Sequence, residues 1–586
     1  MERAIKKMKA GKMTQHRTTT RKGWSTVAMA IMAVATECAA QTPPPSVEPR
    51  LPPATVPNAG SILQQRRSES GELGQPGNAA GGLPGAQPAE VRKRYHVKSV
   101  RFTGNEKLGQ EELEAAVQSY IGRDVSDQDL EQMADRISDL YRTHGYGFTF
   151  TSVDPDSLQD GNIRFIIVEG KAGRINLSNH SRVRDALLEG MMARFRAHPE
   201  DTDKLERASL LMGDTPGVSV AKPRLSRGTT NGAVDVEMGV QPAPLVNGAI
   251  TLDNYGSRTS GRTRLGAMLG INSPFGWGDV LRLNVSGLPF NLQNGDSTLG
   301  GATYDFPVGN AGLRGGMGYS RLQYDLGGIY EGQFDGTADV FSAYMTYPIV
   351  RQQERNLAAR VTYSHSLYRD NQVGFENQRN SDAFAFMLYG NLQDGLLGRA
   401  AATRASLTLT YGILRFDSPL FAQQDAAGSQ TAGGYTKAEL GLSRIQQLTR
   451  STYLQADVSA QYAFKNLDSS ARMVMGGPSA VRAFSSDFVS VDTGIVVRAT
   501  AGWRLPVPVV PVNAYVFYDV GTGVLRHDPF QGQSNNVNLQ GMGIGLDVTW
   551  RSITASVSLA KRVGGSAPGL GSQPQTWTWA SLSYSF

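Results

Sequence analysis

The amino-acid sequence predicts two consecutive α+β units followed by an all-β, 16-stranded antiparallel transmembrane β-barrel. Three patterns support this prediction. The last ten residues alternate between apolar and small polar side chains, sixteen segments beyond Val246 alternate in the same way, and one order of strands and helices occurs twice between residues 95 and 245. Alternation with a period of two suits a strand that has lipid on one face and a polar lumen on the other.

The N-terminal residues predict a secretory signal peptide over residues 1–40. An apolar run over residues 23–36 follows eight basic residues and is too short to span a bilayer as a helix. Small side chains just before residue 41 favour cleavage after Ala40. The segment carries 8 of the 58 Lys and Arg residues and 2 of the 52 Asp and Glu residues, which leaves 50 of each.

Removal of this segment makes the remaining chain neutral. A nucleic-acid-binding protein needs a basic patch on its folded part, so we expect no nucleic-acid partner. The single cysteine, Cys38, leaves with the signal, and the mature chain then has no disulfide and no cysteine metal site. The scattered histidines show no metal-ligand spacing, and we expect no metal and no cofactor.

Residues 41–94 form a linker that is rich in proline and glycine and cannot bury a core. Within it, residues 59–70 (AGSILQQRRSES) contain no proline and have a better helical composition. This segment is either a short amphipathic helix with a role of its own or a transient helix in a disordered linker.

Two α+β units follow, over residues 95–171 and 172–245. In the first unit we expect strands at residues 97–103, 146–153 and 162–168, with two helices between the first and second strands whose buried faces are marked by Leu113, Ala116, Val117 and Tyr120 and by Leu130, Met133, Ala134, Ile137, Leu140 and Tyr141. In the second unit we expect strands at residues 173–179, 218–224 and 232–240 and helices at residues 183–195 and 203–212.

Residues 246–586 predict the barrel. In the clearest segment, residues 452–464, six apolar residues alternate with polar ones, and no amphipathic helix is evident beyond Val246. An even strand number suits a single-chain bacterial barrel. The barrel has to be closed, because an open sheet edge in lipid would leave backbone groups without hydrogen-bond partners.

A long connection over residues 465–489, the inward loop, separates the eleventh and twelfth strands. It contains Gly476, Gly477 and Arg482, and the thirteenth strand carries Asp519. The alternation of that strand directs Asp519 into the lumen if Tyr518 faces lipid. The planar guanidinium of Arg482 suits bidentate binding of a carboxylate, and the glycines allow the turns that fold a loop inward, so we expect an ion pair between Arg482 and Asp519.

Over residues 95–586 the chain resembles the outer-membrane transporters of two-partner secretion, the ShlB/FhaC-like family, and residues 59–70 are similar to the family's plug helix. The inward loop of this family bears a Val-Arg-Gly-Tyr motif, and a barrel strand bears Phe-x-Asp-x-Gly. The second motif is matched by Phe517, Asp519 and Gly521. Further similarities lie at residues 210–220, 253–257 and 272–279.

The first motif is matched with two differences, by Val481, Arg482, Ala483 and Phe484. Alanine in place of glycine restricts the backbone, and phenylalanine in place of tyrosine removes a hydroxyl group. We therefore expect the tip of the loop to sit differently from the family's pattern while the role of the arginine is retained.

The resemblance implies a transporter in the outer membrane of a Gram-negative bacterium, not an enzyme. Two periplasmic POTRA domains, residues 95–171 and 172–245, would bind an unfolded haemagglutinin-, haemolysin- or adhesin-like exoprotein, and the barrel would export it to the cell surface. The helix at residues 59–70 would plug the pore until the exoprotein arrives. The resemblance further implies that the chain acts as a monomer and that Leu582, Tyr584 and Phe586 are the signal by which the barrel-assembly machinery inserts it into the lipid bilayer.

Two alternatives remain open at this point. A barrel-assembly factor of the BamA or TamA kind shares the POTRA units, the arginine loop and the aspartate strand, but such factors usually carry more POTRA domains and lack a proline-rich plug linker. A barrel enzyme would need a catalytic base. The barrel offers only His365 and His527, and neither lies in a recognisable catalytic motif.

Overall fold

The computed structural model describes residues 56–70, 94–158, 160–220, 223–229, 233–287, 295–372, 374–507, 510–529, 534–567 and 574–586. The predicted signal peptide and most of the predicted linker lie outside the described residues. The described chain comprises helix α1 (Ala59–Ser70), two α+β units and a closed barrel of 16 strands. No described helix is both long enough and apolar enough to cross a membrane.

The first α+β unit is a three-stranded sheet covered by two helices. Its elements are β1 (Arg94–His96), β2 (Ser99–Thr103), α2 (Gln110–Val117), β3 (Asp124–Ser126), α3 (Asp127–Thr143), β4 (Phe150–Val153) and β5 (Asn162–Val168). The sheet order is β2-β5-β4, with β2 parallel and β4 antiparallel to β5. Helix α3 begins at a capping box, in which Ser126 and Asp129 each bind the other's backbone N–H. The strands expected over residues 97–103 and 146–153 are shorter than predicted, because β2 begins at Ser99 and β4 at Phe150.

The core of this unit confirms the predicted helical faces. Leu113, Met133 and Ile137 are fully buried against the sheet. The hydroxyl group of Tyr141 donates to Glu169 Oε1 over 2.8 Å. Burial raises the pKa of Tyr141, and the hydrogen bond to Glu169 acts in the same direction.

The second unit repeats the arrangement with β6 (Lys171–Asn179), α4 (Asp185–Ala197), α5 (Thr202–Gly213), β7 (Val218–Val220), β8 (Arg224–Arg227) and β9 (Ala233–Pro242). The strand expected over residues 218–224 is wrong in its extent. It is two short strands, β7 and β8, and both pair with β9.

The barrel strands run from β10 to β27, and each pairs antiparallel with its sequence neighbours. They are β10 (Val246–Asp253), β11 (Arg264–Asn272), β12 (Val280–Ser286), β13 (Asp296–Pro307), β14 (Arg314–Asp325), β15 (Phe334–Arg351), β16 (Arg355–Gln372), β17 (Phe375–Asp394), β18 (Ala401–Phe416), β19 (Gly433–Gln447), β20 (Thr452–Ala463), β23 (Thr493–Leu505), β24 (Val512–Val524), β25 (Asn536–Trp550), β26 (Ile553–Ser566) and β27 (Thr576–Ser585). The short strands β21 (Met473–Val474) and β22 (Ser490–Val491) form a hairpin at the base of the inward loop. Strand β27 closes the barrel on β10 over five residue pairs, from Ala249–Ser585 to Asp253–Ser581.

The two ends of the barrel differ in the length of their connections. Short turns such as residues 273–279, 352–354 and 551–552 lie at the end that joins the α+β units, whereas the inward loop lies at the other end. Short turns mark the periplasmic end of outer-membrane barrels. A second departure from the sequence-based expectation lies at the opposite end, where helix α6 (Pro419–Ala427) forms in the connection between β18 and β19.

The second α+β unit is fixed to the periplasmic turns of the barrel. Arg351 donates two hydrogen bonds to Asp214, Nε to Oδ2 over 2.7 Å and Nη2 to Oδ1 over 2.8 Å. Arg207 donates to the carbonyl oxygen of Pro348 over 2.7 Å, and the backbone N–H of Gln353 donates to Glu206 over 2.7 Å. These contacts all lie at the turn between β15 and β16.

We expect Arg351→Glu to loosen this attachment, because it replaces a bidentate ion pair with two like charges. A partly exposed pair contributes about 1 kcal/mol, so the detached orientation should become about fivefold more populated. The measurement is the yield of a disulfide between Gly190→Cys in α4 and Asn310→Cys in the turn after β13, because a Cβ on Gly190 would lie 2.9 Å from Asn310 Cβ.

The double exchange Asp214→Arg with Arg351→Asp should restore the disulfide yield. Arg174→Glu, which breaks the Arg174–Asp235 pair within the same unit, is the matched control and should leave the yield unchanged. A wild-type yield in Arg351→Glu would show that the pair does not hold the unit in place.

Candidate functional site

The candidate site is built around the inward loop, which folds back into the barrel lumen. The backbone N–H of Val481 donates to the carbonyl oxygen of Met475 over 3.0 Å, and that of Gly477 donates to the carbonyl oxygen of Phe484 over 2.9 Å. Gly477 has a φ of 102°, which glycine adopts without steric cost. A Cβ on Gly476 would overlap the carbonyl oxygen of Ser485, so the two glycines allow this compact tip.

The predicted ion pair between Arg482 and Asp519 is present and buried. Arg482 Nε donates to Asp519 Oδ2 over 2.8 Å, and Nη2 donates to Oδ1 over 2.6 Å. The backbone N–H of Arg482 adds a third hydrogen bond to Oδ2 over 3.0 Å. The Asp519 side chain is fully buried and that of Arg482 is 10 % exposed. The carboxylate is therefore satisfied by the bidentate geometry that the sequence indicated.

The barrel wall is shaped to receive the tip of the loop. The Arg482 guanidinium lies 3.5 Å from the centre of the Phe517 ring. A Cβ on Gly521 would lie 2.9 Å from Val481 Cγ2, and one on Gly541 would overlap Ala483 Cβ. The wall thus needs glycine at both positions, because the loop tip occupies the space of a side chain.

The two departures from the family's loop motif are accommodated by apolar burial. Ala483 is fully buried beside Gly541. Phe484 is 1 % exposed, and its ring stacks on Phe488 with centroids 5.1 Å apart. The tip keeps its arginine in place even though alanine and phenylalanine replace glycine and tyrosine.

The same loop tip is tied to the seam where the barrel closes. Trp579 of β27 donates its indole N–H to the carbonyl oxygen of Arg482 over 2.7 Å. Asn254, just after β10, donates to the carbonyl oxygen of Thr578 over 2.9 Å and accepts from the backbone N–H of Ala580 over 2.8 Å. Ser486 donates to the carbonyl oxygen of Tyr255 over 3.3 Å. The loop therefore bridges the first and last strands.

Sequence reasoning did not assign Trp579 and Asn254 to the site. The alternation of the last strand could have indicated Trp579, because it lies on the lumenal side when Leu582 and Tyr584 face lipid. The structure places Tyr584 and Phe586 on the outer surface at the end of β27, 48 % and 52 % exposed. Their role as an insertion signal, with Leu582, stays a prediction.

Helix α1 lies inside the barrel against strands β12 to β16. Asn58 caps its N-terminus by accepting from the backbone N–H of Ser61 over 3.0 Å. Ile62 and Leu63 pack into an apolar cluster on the inner wall with Leu322, Tyr324, Leu326, Tyr330, Ala338, Val340 and Tyr368. The helix is not amphipathic in the predicted sense, because its buried residues include Arg66, which donates to Ser297 of β13 over 2.7 Å.

A buried charge network joins α1 to the inward loop. Asp370 of β16 accepts from the backbone N–H of Ala59 over 2.8 Å and from Arg379 over 2.6 Å. Arg379 is 3 % exposed and also lies 3.3 Å from Asp468 at the start of the inward loop. Ser469 donates to the Asn58 side chain over 2.8 Å. Arg379 thus links Asp370, which binds the N-terminus of α1, to Asp468 at the base of the loop.

A cavity of about 460 Å³, lined by both polar and apolar side chains, lies between α1 and the opposite wall. Gln64, Arg67 and Ser68 of the helix face strands β17 to β20 and β23 across it. The wall contributes Arg404 and Arg498 as cations and Glu439 and Asp457 as anions, together with many serines. Because this lining carries charges of both signs and hydroxyl groups, it has no strong preference for acidic, basic or apolar side chains of a chain that passes through the lumen. Within the described ranges, no group of three His, Cys, Asp or Glu side chains is arranged to hold a metal ion.

A periplasmic pair of α+β units, a sixteen-stranded barrel and a loop arginine bound to a barrel aspartate define an outer-membrane protein of the POTRA and barrel class. The family model for haemolysin secretion/activation protein ShlB/FhaC/HecB matches residues 232–548, more than half of the chain, and the ShlB-type POTRA model matches residues 95–170. The chain belongs to the ShlB/FhaC/HecB family of two-partner secretion.

Relatives and solved structures agree with this assignment. The heme/hemopexin transporter protein HuxB of Haemophilus influenzae is 28 % identical over 528 residues, 86 % of this chain and 91 % of the relative. The outer membrane transporter CdiB of Dickeya dadantii is 21 % identical over 530 residues, 85 % of this chain and 88 % of the relative. The structure of CdiB from Escherichia coli superposes with a TM-score of 0.67 at 18 % identity and covers 91 % of this chain and 100 % of its own.

These findings confirm the predicted family, fold class and location. The protein is an outer-membrane transporter that exports a partner exoprotein, and its POTRA units lie in the periplasm. The match favours export over barrel assembly. Family members are transporters and not enzymes.

Proposed function

We propose that export through this barrel depends on the Arg482–Asp519 pair, which holds the inward loop in its conducting or resting conformation. The supporting observation is the complete satisfaction of a buried carboxylate by one loop residue through three hydrogen bonds. The pair also places the Arg482 carbonyl group where Trp579 of the closing strand binds it. One arginine thereby sets the position of the loop relative to both the wall and the seam.

An ordinary structural role for the pair makes a different prediction. Breaking a buried ion pair costs about 3 to 5 kcal/mol, because the remaining charge is left uncompensated. If that cost fell on the barrel as a whole, the protein would be lost from the membrane. If it fell on the loop, the barrel would persist and only transport would fail.

We expect Arg482→Ala to abolish secretion of the partner exoprotein while a correctly inserted barrel remains. The loop would lose its anchor, whereas the sixteen-strand ladder of backbone hydrogen bonds would be unchanged. The measurements are the amount of exoprotein in the medium and the heat-modifiable migration of the barrel from outer-membrane fractions.

Arg444→Ala is the matched control. It removes another arginine that binds a carboxylate in two places, Asp394 at the periplasmic end of β17, and we expect normal secretion. Loss of the Arg482→Ala barrel from the membrane, or equal loss of secretion in both variants, would contradict the proposed role.

We further propose that α1 plugs the lumen until the exoprotein arrives. Its apolar contact is confined to one cluster around Ile62 and Leu63, and the rest of its docking is polar, since Ala59 and Arg66 bind the wall through hydrogen bonds and Ser469 binds Asn58. Water can replace such bonds when the helix leaves, so each contributes only about 1 kcal/mol net. The helix is therefore suited to release.

A disulfide between Gly60→Cys and Ser470→Cys should block secretion under oxidising conditions. A Cβ on Gly60 lies 2.8 Å from Ser470 Cβ, so a small shift brings the pair to disulfide distance. We expect reductant to restore secretion, and each single cysteine variant to secrete in both conditions. Normal secretion by the oxidised double variant, with the disulfide verified by its mobility shift, would show that α1 need not leave.

We also propose that the first POTRA unit captures the unfolded exoprotein. In the described part of the chain, β2 and β4 each pair with β5 alone, so an extended segment has an edge to join. On the outer face beside β4, Phe150 lies opposite Val168, and the two are 64 % and 42 % exposed. This apolar pair would contact alternate side chains of the added segment.

Phe150→Ser with Val168→Ser should weaken binding of the exoprotein's N-terminal domain to the full-length transporter by about tenfold, as about 1.4 kcal/mol of apolar contact is lost. Interferometry on the detergent-solubilised transporter measures this. Arg101→Ser, on the exposed face of β2, is the matched control. Unchanged affinity in the double variant would show that the exoprotein is captured at another surface.

That the transporter acts as a monomer stays a prediction.

A further inference from the structure

Two arginines of the second POTRA unit point away from its core beside the membrane. Arg182 and Arg184 flank Val183, which is 2 % exposed and belongs to the core of the unit. Both arginines are exposed although the residue between them is buried, so their side chains lie on the outer side of the unit. The adjacent Asp185 accepts a hydrogen bond from Asn179 over 2.6 Å. Among the described residues, neither arginine forms an ion pair.

A periplasmic turn of the barrel fixes this segment in place. The backbone N–H of Arg184 donates to the carbonyl oxygen of Gly276 over 3.0 Å. A Cβ on Gly276 would lie 3.0 Å from the carbonyl oxygen of Arg182, so the turn and the segment are in close contact. Two residues further along the turn, a Cβ on Gly278 would meet the side chains of Thr215 and Leu187 of the same unit. The arginines therefore keep a defined position relative to the barrel.

The turn carries aromatic side chains that mark the membrane interface. Phe275 and Trp277, on either side of Gly276, are 64 % and 47 % exposed, and their ring centroids lie 6.1 Å apart. Phe275 also contacts Tyr304 on the outer face of β13. Exposed rings at the end of a barrel form the girdle that sits among lipid headgroups. The Arg184 guanidinium lies 5.2 Å from the centre of the Trp277 ring.

We propose that Arg182 and Arg184 form a binding site for the phosphate group of an anionic phospholipid in the periplasmic leaflet of the outer membrane. At the height of the lipid headgroups, each of the two guanidinium groups can donate two hydrogen bonds to the oxygens of one phosphate group. Trp277 lies beside the same lipid and holds the Arg184 cation above its ring. The site lies outside the lumen, and lipid binding there does not depend on how the exoprotein is exported.

The test measures retention of phosphatidylglycerol by the full-length transporter. The protein is placed in nanodiscs that contain phosphatidylglycerol in excess phosphatidylcholine, and the lipids that remain bound after transfer to detergent are counted by native mass spectrometry. Arg182→Gln with Arg184→Gln should lower retention of phosphatidylglycerol about 30-fold, since each basic residue at an anionic surface contributes about a fivefold factor. Arg182→Lys with Arg184→Lys should retain most of it.

Arg194→Gln is the matched control, because Arg194 is also exposed and lies near the other end of α4. It should retain phosphatidylglycerol as the wild type does. The disulfide between positions 190 and 310 verifies that the glutamine variant keeps the unit docked. Equal retention by the wild type and the glutamine variant, or equal loss in Arg194→Gln, would overturn the proposal. Displacement of the bound lipid by soluble glycerol phosphate at equal concentration would also overturn it, since the site would then recognise free phosphate.

Discussion

Closure of a hydrogen-bonded sheet inside lipid is the constraint on which the other features depend. No water is available in the hydrocarbon region to satisfy an open strand edge, so each of the sixteen strands has a partner on both sides. The final ladder, between β10 and β27, has five residue pairs, whereas that between β16 and β17 has eighteen. Side chains reinforce the seam. Asn254 binds across it to the backbone of β27, and Trp579 of β27 binds the loop tip.

The lumen of a barrel this wide would be open to water if nothing filled it. Two inserted segments fill it in different ways. The inward loop places apolar residues such as Val481 and Phe484 against glycines of the wall, and its buried Arg482 is fully paired. Helix α1 packs Ile62 and Leu63 on the wall and is also held by hydrogen bonds, one of them to Asp370, which Arg379 links to the base of the loop. The loop is thus packed like a protein core, whereas the helix combines one apolar cluster with hydrogen bonds that water can replace.

The periplasmic end combines a protein contact with a membrane contact. The Arg351–Asp214 pair and the turn around Gly276 hold the second POTRA unit against the barrel from two directions. This attachment brings exposed arginines of the unit to the aromatic girdle. The orientation of the periplasmic units therefore follows from the same short turns that close the barrel strands.

Strand alternation identified the barrel, its sixteen strands and the lumenal direction of Asp519, because a period of two reports directly which face meets lipid. Apolar residues at helical spacing identified the helices of the two α+β units, because that spacing reports which face of a helix packs on the core. Complementary charge and the strand alternation indicated that Arg482 of the loop meets Asp519 of β24, but no local pattern pointed to the hydrogen bond of Trp579 to Arg482 or to the network around Arg379. The buried Arg66 contradicts a purely amphipathic helix. Its burial could not be predicted from the local pattern, because its hydrogen-bond partner Ser297 lies 231 residues further along the chain. The sequence pattern alone thus determined the elements and their faces, and tertiary contact decided how the loop, the helix and the seam meet in the lumen.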